Sequence, residues 1–507
     1  MSATVRSAAI VGIDAVPVDV EVEELSGLPS VTIVGLPDTA VREARERITA
    51  ALQNTGLVPP RHRTIVNLAP AHVRKEGAQY DLPIALAFLA ATGQLVARLE
   101  RLLFVSALGL DGSLQPVPGV FSVADYARRA GVETLVVAPG NACEAATTGV
   151  QTLAPPTLRA LLDHLEQRSP LPSVERSPPS AEASPVLTDI PDMSVIVEQA
   201  LVKRALEIAA SGGHNVLLHG SPGGGKTLLA KAVVGILPEL SEEEAFEVTK
   251  IWSARGVLPV GVGLRRTRPF RSPHHSTSAV ALVGGGTYPQ PGEVTLAHRG
   301  VLFLDEFAEF PRHVIEHIRQ PLEEGCVHVS RAAGSLTFPA RFMLVAAMNP
   351  CPCGYAEDPT NVCQCPPGEI LRYRGRVSGP FLDRIDLHVH VPSVRIQSLL
   401  AGQPHGEMSQ KIRERVRAAR TRQSTRYGTA TETNATLGLE GLRLHCALPS
   451  DGTTLLERAA GKLRLTARGV HRVLRVARTI ADLHAEEHIT SSHLAEALQY
   501  RTPFADL

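Results

Sequence analysis

The segment GSPGGGKT, residues 220–227, sets a run of glycines between an apolar stretch, NVLL, and a helix-forming stretch, LLAKAVV. It fits the spacing G-x-x-x-x-G-K-[ST], with Gly220, Gly225, Lys226 and Thr227 at the defined positions and Ser221, Pro222, Gly223 and Gly224 between them. Backbone N–H groups can turn inward around an anion only where no Cβ obstructs them, so such a loop at the start of a helix is a phosphate cradle. Lys226 then reaches the β- and γ-phosphates of a nucleotide, and the Thr227 hydroxyl joins a Mg²⁺ shell. The implied cofactors are ATP and Mg²⁺.

Two more apolar runs end in groups suited to the same chemistry. GVLFLDEF delivers Asp305 and Glu306 at the end of a buried strand, the edge at which α/β sheets bind ligands. Asp305 suits the outer shell of Mg²⁺, and Glu306 suits the base that orients and deprotonates an attacking water. RFMLVAAMNP ends at Asn349, an amide able to contact the γ-phosphate or that water, although Asn-Pro after a strand is by itself a turn. Directly after it, Cys351, Cys353, Cys363 and Cys365 form C-x-C-x₉-C-x-C, four of the seven cysteines in the chain. In a reducing compartment this pattern favours a structural Zn²⁺ on four thiolates over disulfides, with free structural thiols and redox function as the other readings. His274 and His275 in SPHHS are possible further ligands but read first as satisfied structural histidines.

The elements that must position these groups follow from periodicity. Val16, Val18, Val20 and Val22 alternate with Pro17, Asp19 and Glu21, the pattern of a half-buried strand. Asp38 caps a helix with Val41, Ala44, Ile48, Ala51 and Leu52 on one face, and Gly56 stops it. The strands VTIVGL, TIVNLA, RLLFVSALGL and TLVVAP alternate with the helices DLPIALAFLAATG and VADYARRAG, so residues 1–167 read as an α/β domain. Residues 168–190 are dense in Pro, Ser and charge and read as a linker. Residues 191–397 form a second α/β domain carrying the phosphate loop, and residues 398–507 are helical.

A chain of 507 residues with 44% hydrophobic content has room for several packed cores. Formal net charge is zero, so there is no bulk polyanion footprint and any nucleic-acid site must be local. No apolar run approaches the roughly 18–20 residues that cross a bilayer, and the first residues lack a signal-peptide pattern. A cytoplasmic chain with reduced thiols and no membrane partner is expected.

The succession GSPGGGKT, RPFRSPHHSTS, GVLFLDEF, AAMNPCPCGY, SGPFLDRIDL and LTARGVHRVLRVARTIADL resembles the magnesium-chelatase-like AAA+ ATPases of the YifB/ComM group, over essentially the whole chain. The resemblance implies an α/β fold in three parts. These are an N-terminal Lon-protease-like (ribosomal S5 domain 2-like) domain, an AAA+ P-loop core with a helix-2 insert and a pre-sensor-1 hairpin, and a C-terminal helical lid. It makes Asn349 similar to sensor 1, Arg384 to the arginine finger and Arg468 to sensor 2, with Arg472 a rival one turn on. A finger lent to the neighbouring subunit implies a homo-oligomeric ring, most simply a hexamer. Where a Lon-type protease has its serine nucleophile this chain has Gln79, and where the base lysine falls it has Phe121; neither can lose a proton, so proteolysis is not expected.

Two segments resemble pore elements of that clade. One carries the glycines 284–286; the other, CVHVSRAAGSLTFPARF, is a hairpin with Arg331 at its tip as a phosphate contact. A basic helix around Arg413, Arg417 and Arg420 is the other DNA-contact candidate. The group implies a helicase or branch-migration motor on single-stranded or branched DNA, in natural transformation or recombination. A magnesium-chelatase-like motor that remodels a protein partner is the alternative.

Overall fold

The valine alternation near the N-terminus belongs to strand Asp14–Leu25, whose Val18, Val20 and Val22 are buried while Asp19 and Glu21 face solvent. This strand pairs antiparallel with Ser2–Val11 and Arg63–Ala69, and Ser30–Val34 adds a parallel edge. Helix Thr39–Asn54 starts at Asp38, whose Oδ1 accepts the Val41 N–H at 2.8 Å, and it buries the five apolar residues of its expected face. Helix Asp81–Ala91 is buried on nearly every side, as its uniformly apolar sequence requires. A second, parallel sheet joins Leu102–Val105, Thr134–Val137 and Gln151–Leu153. The structure, a computed structural model, describes residues 2–175, 190–286, 289–331, 334–358, 361–394, 397 and 406–501.

The chain forms two compact units, Met1–Pro185 with Glu243–Arg265, and Val186–Glu242 with Arg266–Leu507. The sequence order sets residues 243–265 inside the 191–397 core, but their helix, Glu242–Ala254, completes the first unit instead. Its Phe246 meets the ring of Phe121 edge-on at 4.7 Å, and Ser253 accepts the N–H groups of Gly119 (2.8 Å, on its carbonyl) and Phe121 (3.2 Å, on Oγ). Linear order does not say which core an apolar helix face completes, because burial is non-directional. Phe121 is thus a fully buried packing residue. Gln79 is also buried, with its amide donating to the Ala8 carbonyl at 3.3 Å and to Tyr80 Oη at 3.2 Å.

In the second unit five parallel strands run in the order Phe270–Arg271, Val301–Leu304, Met343–Met348, Val216–His219, Leu387–His390. The middle three are apolar and buried, as strands covered on both faces must be. Helices Ser409–Tyr427, Leu439–His445, Ser450–Lys462, Ala467–Leu483 and Ser491–Gln499 follow. Arg413 and Arg420 donate to the carbonyls of Gly235 and Ala210, so two of the three arginines named as DNA-contact candidates hold the basic helix to neighbouring helices. Among the described residues no helix is long and apolar enough to cross a membrane.

Ion pairs tie helix Ala467–Leu483 to the end of the sheet. Arg472 Nη1 lies 2.6 Å from Asp386 Oδ1, and Thr466, the cap of that helix, donates to Asp383 at 3.1 Å. Burial alone would raise the Asp386 pKa; the Arg472 guanidinium and the His214 ring outweigh it and hold the carboxyl far below its usual range. A carboxyl lowered on folding adds stability that is complete above its unfolded pKa of about 4 and is lost as the pH falls toward the folded value. Asp386→Asn is therefore expected to cost about 3–5 kcal/mol at pH 7, because it leaves a guanidinium buried without its counter-charge. The difference from wild type should shrink by about 1 kcal/mol at pH 3 in urea unfolding followed by circular dichroism. An equal difference at both pH values would remove the Asp386 charge as its source.

Candidate nucleotide site

The glycine loop leaves strand Val216–His219 and enters helix Lys226–Ile236. A Cβ on Gly220 would lie 2.2 Å from the Val391 carbonyl oxygen, and Gly223 and Gly225 adopt left-handed φ of 82° and 78°, so the loop's path admits only glycine there. Lys226 Nζ lies across the loop, donating to the carbonyls of Gly220 (2.6 Å) and Ser221 (3.0 Å) and to Asn349 Oδ1 (3.1 Å). Burial pushes the Lys226 pKa below its usual range, with Asp305 opposing.

Thr227 Oγ1 donates to Asp305 Oδ2 at 2.7 Å. A carboxylate in the outer shell of Mg²⁺ would accept from an inner-shell hydroxyl in this way, so the pair fits the ion. The glycine cradle, the helix N-terminus and the lysine fit a polyphosphate. Lys226, Thr227, Asp305 and Asn349 are therefore brought together.

The Glu306 carboxylate lies against a different residue, His275. The Glu306 backbone is left-handed, with φ of 49°, its N–H donates to Asp305 Oδ1 at 3.0 Å, and Oε2 lies 3.2 Å from His275 Nδ1. His275 is not among the residues gathered at the cysteine cluster, and its place beside Glu306 is not apparent from sequence. Phe270 pairs with Val301 and Arg271 with Leu302, and His275 and Glu306 both lie in turns beyond those strand ends.

Arg384 is not brought to this group. Its Nη2 lies 2.5 Å from Glu323 Oε1, its Nη1 donates to the Pro380 carbonyl, and its side chain is 5% exposed. Burial lowers its pKa, with Glu323 opposing and Arg319 and Arg468 adding like charge. Arg468 is exposed in the first turn of helix Ala467–Leu483, whereas its rival Arg472 is held by Asp386. The pairing Cys326–Arg331 with Gly334–Pro339 makes the expected hairpin; the Arg331 side chain lies outside the described residues. Gly284–Gly285 pairs with Gln290–Pro291, with residues 287 and 288 outside them.

The four cysteine sulfurs lie within 4.8 Å of one another, with separations of 3.3, 3.7 and 3.6 Å among Cys351, Cys353 and Cys363. Sulfurs around a tetrahedral zinc with bonds of about 2.3 Å are about 3.8 Å apart, so the set can hold one metal ion with small adjustments. A backbone N–H from Tyr355 is the main cause that lowers the Cys353 thiol to about 6, while burial and the neighbouring sulfurs raise Cys363 and push Cys365 up to about 12. The segment is anchored to the phosphate loop. A Cβ on Gly354 would lie 2.7 Å from Pro222 Cδ, and Glu357 faces Arg374 at 3.0 Å, His390 at 3.7 Å and, at 3.8 Å, His219, the residue before Gly220.

Comparison with known proteins extends over the same elements. The family description "Magnesium chelatase, subunit ChlI" matches residues 192–399, "Subunit ChlI of Mg-chelatase" residues 20–141, and "Magnesium chelatase, subunit ChlI C-terminal" residues 406–501. The chain is 45% identical to the uncharacterized protein YifB of Escherichia coli K12, over 98% of this chain and 96% of that protein. It is 43% identical to the competence protein ComM of Haemophilus influenzae, over 98% and 97%. It is also 32% identical to the magnesium-chelatase 67 kDa subunit of Chlorobaculum parvum, over 32% of this chain and 23% of that protein. With its phosphate loop, acidic strand end and cysteine-bearing turn on one parallel sheet and these likenesses along nearly its full length, the chain belongs to the magnesium-chelatase-like YifB/ComM family.

Proposed function

We propose that the chain is an ATP-hydrolysing motor that assembles into a ring and moves DNA, as a helicase or branch-migration factor in natural transformation or recombination. The Thr227–Asp305 contact of 2.7 Å at the head of the glycine cradle carries the hydrolytic part of this reading. Lys226 neutralises the β- and γ-phosphates, Thr227 and Asp305 hold Mg²⁺, Glu306 takes the proton of the attacking water, and Asn349 orients that water or the γ-phosphate. Bound ATP and Mg²⁺ supply the transferable phosphoryl group and its charge neutralisation.

Arg384 is the finger lent to the neighbouring subunit of a hexamer, with Glu323 its resting partner, and Arg468 is sensor 2 on a helical lid, residues 398–507. The first unit is a Lon-type fold without a protease. The cysteine set holds Zn²⁺, Arg331 contacts DNA phosphates, and the chain works in the cytoplasm. The likeness to the competence protein of Haemophilus supports the natural-transformation part. The magnesium-chelatase subunit of Chlorobaculum favours a protein-remodelling motor instead, on a shorter likeness.

The deciding measurement is the ATPase rate of the full chain with and without single-stranded, double-stranded and branched DNA, at low and raised salt. DNA should raise the rate, the effect should fall with salt, and Arg331→Glu should abolish it. A rate indifferent to every DNA leaves the protein-remodelling motor. For the ring, Arg384→Ala and Glu306→Gln subunits, each expected to lose about 10²-fold or more in turnover, should regain activity when mixed, since some interfaces then pair intact partners. Mixtures that exchange subunits yet stay inactive would refute a shared site. Metal analysis of the purified chain should find one Zn²⁺, absent from Cys351→Ser/Cys353→Ser; a wild type with no bound metal counts against that part.

A further inference from the structure

Three metal-ligating side chains converge away from the nucleotide site and the four-cysteine set. Glu324 ends helix Arg312–Glu324, and Cys326 and His328 lie on the strand that follows, Cys326–Arg331. Gly325 between them is left-handed, with φ of 67°, and so turns the chain from helix into strand within one residue. Val327 and Val329 are buried, and the alternation of the strand therefore sets Cys326 and His328 together on its other, more exposed face. Cys326 Sγ lies 3.3 Å from His328 Nε2, which lies 3.6 Å from Glu324 Oε2, and all three ligand atoms fall within 4.8 Å of one another. Around a tetrahedral zinc ion with bonds of about 2.0–2.3 Å, sulfur, nitrogen and oxygen ligands are about 3.3–3.6 Å apart.

The groups behind these ligands suit the same purpose. His328 faces Thr337 across the hairpin, with Nδ1 2.9 Å from Thr337 Oγ1. That hydroxyl can accept the Nδ1–H, which leaves the Nε2 lone pair toward the thiol and the carboxylate. Gln320 Nε2 donates to Glu324 Oε2 at 2.8 Å and restrains the carboxylate. We propose that Glu324, Cys326 and His328 bind a divalent d-block cation of the zinc type, with solvent in the fourth place. Binding releases the Cys326 thiol proton to solvent. A thiolate and an imidazole disfavour Mg²⁺, so the ion that accompanies ATP does not fill the site. With one thiolate, and with Glu324 and His328 half-exposed, the site holds its ion less tightly than the four-thiolate set and loses it on purification. When bound, the ion joins the helix end to the first strand of the hairpin across the Gly325 turn. This inference does not depend on the hairpin contacting DNA.

The test is titration of the purified full chain with cobalt(II), which gives a charge-transfer band only when a thiolate binds it. The signal is the difference between wild type and Cys326→Ser, which cancels any contribution from the four-thiolate set. That difference should saturate at one cobalt per chain and be displaced by Zn²⁺ but not by Mg²⁺. His328→Ala should lose the same band. Thr337→Val should keep it with affinity about 10- to 100-fold weaker, the range for removing the outer partner of a ligating histidine. No difference between wild type and Cys326→Ser, a band that persists unchanged in His328→Ala, or displacement by Mg²⁺ would each overturn the site. A Thr337→Val variant that binds like wild type would remove Thr337 as the group that orients His328.

Discussion

The backbone of Gly220 lies so close to the last strand of the five-stranded sheet that any Cβ would meet the Val391 carbonyl oxygen at 2.2 Å. Gly224 is similarly confined, with its Cβ position 3.0 Å from Val391 Cγ1 and 3.1 Å from the Pro392 carbonyl oxygen. The loop therefore lies against the exit of strand Leu387–His390, and Lys226 is left over the Gly220 and Ser221 carbonyls. Strand order does the rest. With Val216–His219 next to Met343–Met348, and that strand next to Val301–Leu304, the three chain segments that end in Lys226, Asn349 and Asp305 emerge side by side at the carboxyl edge.

A second constraint surrounds Arg384. The aspartates on either side of it, Asp383 and Asp386, are bonded to Thr466 and Arg472, the cap and the second turn of helix Ala467–Leu483. The segment 383–386 and the start of that helix are thus one hydrogen-bonded piece. Buried ion pairs of this kind cost much of their attraction in desolvation, so what they add is a defined geometry more than net stability. Arg468, exposed in the same first turn, sits where its charge is felt by Arg384.

The cysteine-bearing turn has a comparable place on the other side of the loop. Asn349 at its start contacts Lys226, Gly354 packs on Pro222, and Glu357 stands between His219, His390 and Arg374. The His219 interaction is the main cause that lowers the Glu357 carboxyl, burial opposing it. Asn349, Gly354 and Glu357 thus join the segment that carries the four sulfurs to the glycine loop and the strand before it.

Features whose chemistry is local were legible in the sequence. The glycine pattern of residues 220–227 requires φ values and backbone approaches that only glycine tolerates, Asp38 must cap the helix it precedes, and four closely spaced cysteines meet within one turn. Each is decided locally along the chain, except the approach of Gly220 to Val391, which the neighbouring strand imposes. What joined distant segments was not legible: that helix Glu242–Ala254 completes the first unit against Phe121, that Glu323 takes the Arg384 guanidinium, and that His275 reaches Glu306. The sequence alone determined the groups able to do chemistry and the strands and turns that present them. The tertiary structure alone decided their partners, because apolar burial is non-directional and strand neighbours and register depend on the whole sheet.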